Sequence, residues 1–373
     1  MGVEITDFIV DNILIYGFLA QLFAGLLSIY FVPTIRKLAQ VKNLTDNPSA
    51  RKSHSTKVPV LGGLAIYLAA GFAMMLFVFC FQNITSHSSY FVLAFASMAM
   101  LFVGVLDDIV GLQPTQKLLF QIVVSILVIY NCSLFISSMD GLFGITDLYK
   151  PLSFTLTLFI YIIFMNMLNL IDGIDGLASG ISVIAFVFFA LVAYESGSHY
   201  NMLVSMCGIG SLIPFMYYNM FSVKKIFLGD NGSLVLGVIL GYLALDLLSP
   251  NNTPEVSLFG THKTLILMAV FSYPLVDTLR VFVVRISRNR SPFAADKNHI
   301  HHHLLRLGLS HRKATLAVIL YSIFIIIVAM LLVDININVA FVVLLSIAVF
   351  VICLPSFLVK NTTGSIVLRS ISN

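Results

Sequence analysis

Charge is scarce in this sequence. Only 10% of its 373 residues are Asp, Glu, Lys or Arg, while 59% are hydrophobic; a soluble chain carries about 25% charged residues. That scarcity excludes an ordinary soluble domain and points to a polytopic membrane protein. Strand-like alternation over short segments is also missing, which argues against a transmembrane barrel and leaves helices as the spanning element. The opening residues carry Glu4 and Asp7 without a basic run, so no cleavable signal is expected. The four cysteines, Cys80, Cys132, Cys207 and Cys353, are scattered through apolar runs. They have neither metal-ligand spacing nor the pattern of a disulfide framework. With no internal repeat and no separate soluble stretch, the chain reads as a single membrane-embedded domain over residues 1–373.

What is present is apolar length. The expected class is all-α, with about eleven spans at 8–32, 60–81, 89–106, 116–137, 151–171, 176–194, 200–221, 231–248, 263–286, 314–333 and 337–358. Of the 21 Lys and Arg, 18 fall after odd-numbered spans, in stretches such as 33–59 and 287–313. The positive-inside rule then places the N-terminus outside and the C-terminus in the cytoplasm. Unusual polar residues follow the same parity. Asp46 and His54 come after the first span, Asp107 and Asp108 close the third, and Asp172 and Asp175 follow the fifth. Asp230 follows the seventh and a histidine cluster the ninth. Five connections thus bring polar chemistry to one face, a pattern that a chain without an active site has little reason to hold.

Asn166–Gly180 reads NMLNLIDGIDGLASG, with two Asp-Gly pairs three apart and Asn166 and Asn169 one helical turn upstream. Carboxylates at a membrane boundary are costly unless they bind something. The bland alternative is a polar hairpin with ordinary Asp-Gly turn chemistry. Asp107-Asp108 ends an apolar span, where acids oppose the helix dipole; a hard divalent cation would relieve the crowding. Lys117 and Gln121, one turn apart on the next span, would reach phosphates bound there. Asp230, in FLGDNG, stands where a helix begins and could be a metal ligand or a simple N-cap.

Two further stretches carry candidates. DKNHIHHHL, residues 296–304, offers His299, His301 and His302 for phosphate and metal-shell contacts, with a zinc site and a solvated loop as alternatives. The basic loop DNPSARKSHSTKVPVLGG, residues 46–63, carries Asp46, Arg51, Lys52 and His54 and ends in a double glycine. It fits an anionic lipid head group, although positive-inside anchoring explains its charge alone.

Together the stretches RKSHSTKVPVLGG, GVLDD…KLLFQ, NMLNLIDGIDGLASG, FLGDNGSLVLG, PLVDTLRV and PFAADKNHIHHHLLRLG are specific in order and spacing. On them the chain resembles the polyprenyl-phosphate N-acetylhexosamine-1-phosphate transferases, from about Asp46 to Leu309, and more distantly phospho-N-acetylmuramoyl-pentapeptide transferase. The PFxxDxxHIHH stretch looks like the hexosamine branch, and Ile109-Val110-Gly111 after Asp108 departs from the Lys of the muramoyl branch.

The resemblance implies transfer of a sugar 1-phosphate from a UDP-sugar to a polyprenyl (undecaprenyl) phosphate, giving a polyprenyl diphosphate sugar and UMP. N-acetylglucosamine is the default sugar, and the step starts a cell-surface glycan. It implies Mg²⁺, with Mn²⁺ as a substitute, at Asp230 with Asp107 and Asp108 beside the reacting phosphates. Asp172 and Asp175, with Asn166 and Asn169, would face the nucleotide. His301 and His302, with His299 and Arg290 nearby, would contact phosphate or sugar. The expected setting is a bacterial cytoplasmic membrane with the site on its cytoplasmic face. Expected partners are the bilayer, the two substrates and no nucleic acid; a homo-oligomer is compatible. A cation-coupled transporter is the alternative from another class, but its acids would lie at the midplane, often in repeated halves. A CDP-alcohol phosphotransferase would need Ala-Arg after the first Asp-Gly, where Ala178-Ser179 and an apolar run stand.

Overall fold

The computed structural model describes residues 12–46, 58–81, 89–249, 262–287, 289 and 299–371, with side chains to 358 and without that of Asp46. In chain order the helices are α1 (Ile13–Val41), α2 (Gly62–Cys80), α3 (Ser89–Val110), α4 (Pro114–Asn131), α5 (Lys150–Ile171), α6 (Leu177–Ser196) and α7 (His199–Met216). They continue with α8 (Gly229–Leu248), α9 (Lys263–Val270), α10 (Ser272–Ser287), α11 (Ile300–Arg306), α12 (His311–Leu331) and α13 (Ile337–Ile371). Between α1 and α2 a two-residue ladder pairs β1 (Thr45–Asp46) antiparallel to β2 (Val58–Pro59), Thr45 opposite Pro59. The all-α expectation holds, and the protein is a multi-pass membrane protein.

A helix stands at each of the eleven apolar positions expected from the sequence. Among the described residues nine helices are long and apolar enough to cross a membrane, and α9 with α10, bent by 73° at the break between them, would make a tenth. The difference from eleven is α4. Its first turns hold Gln116, which caps its own helix by accepting from the Gln113 N–H, and Lys117 and Gln121, whose side chains face the acids and amides of neighbouring helices.

Burial orders the bundle. α8 is the innermost helix, with 89% of its apolar window buried, against 28% for α1 and for α13 at the rim. Small residues let the neighbours close on it. A Cβ on Gly63 would stand 2.1 Å from the Gly232 backbone, so α2 and α8 touch main chain to main chain there. The contact is reinforced by extended pairing: the Gly62 and Gly63 amides donate to the Phe227 and Leu228 carbonyls, and Phe227 donates back to Pro59. The double glycine, expected to help receive a lipid head group, is therefore spent on packing.

The π-helical turn 217–221 ends α7 and buries Asn219. Its amide accepts from the Gly176 N–H at 2.5 Å and donates to the Ile226 carbonyl at 2.9 Å. One side chain thus ties the turn before α6 to the segment leading into α8, and both carry candidate acids to one end of the bundle.

Candidate active site

The acid pair at the end of α3 divides its labour. Asp108 turns onto the start of α8: its Oδ1 accepts from the Asp230 N–H at 3.0 Å, and its Oδ2 from the Asn231 N–H at 3.1 Å and the Asn231 amide at 2.6 Å. An acid that opposes the dipole of its own helix is favourable at the N-terminus of another, where free N–H groups need acceptors. Asp108, not Asp230, therefore does the capping, and the N-cap reading of Asp230 is not what the structure shows. Buried Asn231 completes the joint, donating to the Val60 carbonyl at 2.7 Å and accepting from the Leu64 N–H at 2.9 Å.

Asp107 faces the other way. Its Oδ1 accepts from the Leu112 N–H at 2.7 Å and its Oδ2 from the Lys117 ammonium at 2.6 Å. The same ammonium reaches Asp230 Oδ2 at 2.7 Å, so Lys117 bridges two carboxylates from different helices. Asp230 Oδ1 accepts from the Asn169 amide at 2.8 Å, which also lies 3.0 Å from Ser233 Oγ. Asp172, immediately past α5, closes the cluster. Burial first, and then the charges of Asp230, Asp108 and Asp175, push its carboxyl well above the ordinary range, with the Gly229 N–H opposing them. Among the described residues Asp172 has no cationic partner, and Lys117 is one cation among four carboxylates.

That imbalance is the test of a metal. The donors are oxygen throughout, and the excess negative charge is what a hard divalent cation relieves, so the set fits a magnesium-type ion. Among the described residues no three His, Cys, Asp or Glu side chains yet converge closely enough to hold an ion outright; Lys117 draws Asp107 and Asp230 together instead.

Asp175 belongs to a different set of contacts. It is bonded to the Lys225 ammonium and lies 3.6 Å from His311 Nδ1, while its carbonyl accepts from Thr315 Oγ1 at 2.7 Å. Burial alone would raise its carboxyl, but His311 and Lys225 outweigh it and hold the group below the usual range. Asn166 is also directed elsewhere: its amide donates to Gln121 Oε1 and to the Ile162 carbonyl, both at 2.8 Å. Gln121, expected at the phosphates, is buried in that pair.

The histidines are held by a residue that sequence reasoning passed over. Asp277 of α10 is fully buried and accepts from His299 Nδ1 at 3.0 Å, the Ile300 N–H at 3.1 Å and Arg280 Nη2 at 2.7 Å. His299 stacks on His301 with ring centroids 5.6 Å apart. His301 in turn lies against the turn carrying Asp172, since a Cβ on Gly173 would stand 2.5 Å from its Nε2. Burial and then His302 lower the His301 ring to about 3, so it is neutral at physiological pH. His302, half-buried, lies 4.3 Å from the His301 ring. A lone acid in an apolar run was the available signal for Asp277. Lys225, read from sequence only as inside charge, gave no such signal. Arg51, Lys52, His54 and Arg290 lie outside the described residues, and Asp46 is described by its backbone alone, in β1.

The carboxylates fall within a recognised domain: residues 90–248 match the model of glycosyl transferase family 4. The chain is 27% identical over 293 residues to an undecaprenyl-phosphate alpha-N-acetylglucosaminyl 1-phosphate transferase of Yersinia pestis, covering 78% of this chain and 77% of that one. It is 29% identical over 290 residues to a probable undecaprenyl-phosphate N-acetylglucosaminyl 1-phosphate transferase of Bacillus subtilis (strain 168), covering 77% of each. With the Escherichia coli (strain K12) protein of the first name it shares 26% over 298 residues, 78% of each chain. The stretch of this chain that is similar to glycosyl transferase family 4, residues 90–248, therefore holds Asp107, Asp108, Asp172 and Asp230.

Proposed function

We propose that this protein is a glycosyl-1-phosphate transferase that moves N-acetylglucosamine 1-phosphate from UDP-N-acetylglucosamine to undecaprenyl phosphate, releasing UMP at the cytoplasmic face of a bacterial inner membrane. The observation that carries the reading is the Asp107–Lys117–Asp230 bridge with Asp172 beside it, at one end of an apolar bundle. The relatives named above supply the substrate class.

Two anions must meet in such a reaction, so the barrier is largely electrostatic. Mg²⁺, or Mn²⁺ in its place, would be held by Asp230 and Asp107 with Asp172, and would draw charge from phosphate oxygens. Lys117 fixes the Asp107 and Asp230 carboxylates relative to each other and adds a positive charge beside them. Asn169 orients Asp230 through its Oδ1. Asp108 holds the first turn of α8 in place and thereby the position of Asp230. Neutral His301, packed on Gly173, offers a ring nitrogen to sugar or phosphate oxygens. The acceptor monoester is already largely a dianion at pH 7, its second pKa being about 6, and needs little help from a base.

The test is a transfer assay on purified protein with labelled UDP-N-acetylglucosamine and undecaprenyl phosphate. Label should enter the lipid phase with matching release of UMP, stop with EDTA and resume with Mg²⁺. No lipid-phase label from any UDP-N-acetylhexosamine would overturn the reading. Recovery with zinc alone would move the metal to His299, His301 and His302.

A further inference from the structure

A second polar feature is lined by none of Asp107, Asp108, Asp172 and Asp230. The end of α1, β2, the segment 221–225 and the start of α12 enclose a cavity of about 360 Å³, within the range of about 300–1,000 Å³ typical of small-molecule sites. Arg36, Lys224, Lys225 and Arg312 line it, and among the described residues no acidic side chain does. Lys225 is neutralised, since its ammonium goes to Asp175. The other three have no carboxylate partner among the described residues. Arg36 Nε is buried with no hydrogen-bond acceptor among the described residues. Arg312 is planted by its Nε on the Met220 carbonyl at 2.7 Å, with its guanidinium 5.0 Å from the Phe221 ring centre. No carboxylate among the described residues pairs with it.

Three cations around one cavity repel one another, and a buried guanidinium N–H without an acceptor is a cost that an oxyanion would remove. The planar fork of Arg matches phosphate oxygens in pairs, and Lys adds a point charge. We propose that Arg36, Lys224 and Arg312 form a phosphate-binding site separate from the carboxylate centre. The ligand is a phosphate mono- or diester, supplied either by the head group of an anionic phospholipid or by the diphosphate of a soluble nucleotide. The site rests on this geometry and does not need the transferase reading.

Native mass spectrometry of the detergent-solubilised full chain tests it, by titration with dioctanoyl phosphatidylglycerol, dioctanoyl phosphatidylcholine and UDP. The variants are Arg36→Gln, Lys224→Gln and Arg312→Gln, with circular dichroism melting as the folding control. Lys224 is exposed, so its substitution leaves the fold intact. Removing each guanidinium should weaken binding about tenfold, the size of one charge-assisted hydrogen bond. Weakened phosphatidylglycerol binding, with phosphatidylcholine unchanged, assigns the site to lipid. Weakened UDP binding instead assigns it to the nucleotide. Folded variants that bind both anions as the wild type does would overturn the proposal.

Discussion

Asp277→Ala should loosen the histidine helix and lower stability measurably. The carboxylate is fully buried and receives His299, the Ile300 N–H and Arg280. Removing one partner of a buried ion pair costs about 3–5 kcal/mol. The Arg280 side chain keeps 15% exposure, so water partly compensates it, and the lower end, about 3 kcal/mol, is the better figure. Loss of the acceptor for Ile300 at the start of α11 adds about 1 kcal/mol, as for a lost helix cap. Asp277→Asn keeps an acceptor for Ile300 and Arg280 but sets an amide N–H₂ or a neutral oxygen against His299, and should cost about 1–2 kcal/mol.

The shift in melting temperature per kcal/mol falls with size and is about 2–4 °C for 150–250 residues; for this longer chain about 1–2 °C is expected. The alanine variant should therefore melt about 4–8 °C lower and the asparagine variant about 1–4 °C lower. The chain has no tryptophan, so unfolding is best followed by circular dichroism, at one fixed scan rate because membrane proteins rarely refold. The same change frees His301 from its packing on Gly173, so KM for the sugar nucleotide should rise more than kcat falls. An alanine variant that melts within about 1 °C of wild type and turns over with unchanged KM would refute the claim that Asp277 holds the histidines in place.

Three other outcomes follow from the geometry. Gly63→Ala would drive a Cβ to 2.1 Å from the Gly232 backbone, so it should cost about 3 kcal/mol or more and be read as loss of folded protein in size-exclusion chromatography. Lys117→Met leaves Asp107 and Asp230 without their shared cation; turnover should fall about 10²–10³-fold, with Lys117→Arg retaining part of it. A cysteine at fully exposed Val223 should resist membrane-impermeant thiol reagents in intact cells and react in inverted vesicles, and the reverse pattern would overturn the cytoplasmic placement of the site.

Most helix positions were legible because each is a long apolar run, and such runs need no tertiary partner to be recognised. The exceptions are α4, whose polar first turns make sense only beside α3, α5 and α8, α10, which carries Asp277, Arg280 and Arg285, and the short histidine helix α11. The shared face of Asp107, Asp172 and Asp230 was legible through parity, a property of the whole chain. Which acid does what was not. Asp108 caps a helix 122 residues away in sequence, and no local pattern marks that partnership. Asn166 lies one turn from Asn169 on the same helix face, yet α4 presents Gln121 to the former and α8 presents Asp230 and Ser233 to the latter. Gly173 looked like a turn residue, but the constraint is the imidazole pressed against it.

The same hydrogen bonds bear on how a transfer would proceed. A covalent route needs a carboxylate oxygen free to attack phosphorus. Asp108 spends both oxygens on the α8 amides. Asp107 spends one on Leu112 and the other on the Lys117 ammonium, and each donor withdraws the electron density a nucleophile needs. Asp230 is engaged by Lys117 and Asn169 in the same way. Asp172 is the least committed of the four, so its substitution is the sharpest test of a covalent route. A direct attack by the acceptor phosphate, which brings its own charge, asks none of these groups to leave its partner. The routes part company when no acceptor is present. A covalent enzyme would exchange labelled UMP into UDP-N-acetylglucosamine in lipid-depleted protein, whereas direct displacement would not. Exchange that persists after exhaustive delipidation, and disappears in Asp172→Asn or Asp107→Asn, would show that one of these oxygens does become free during turnover.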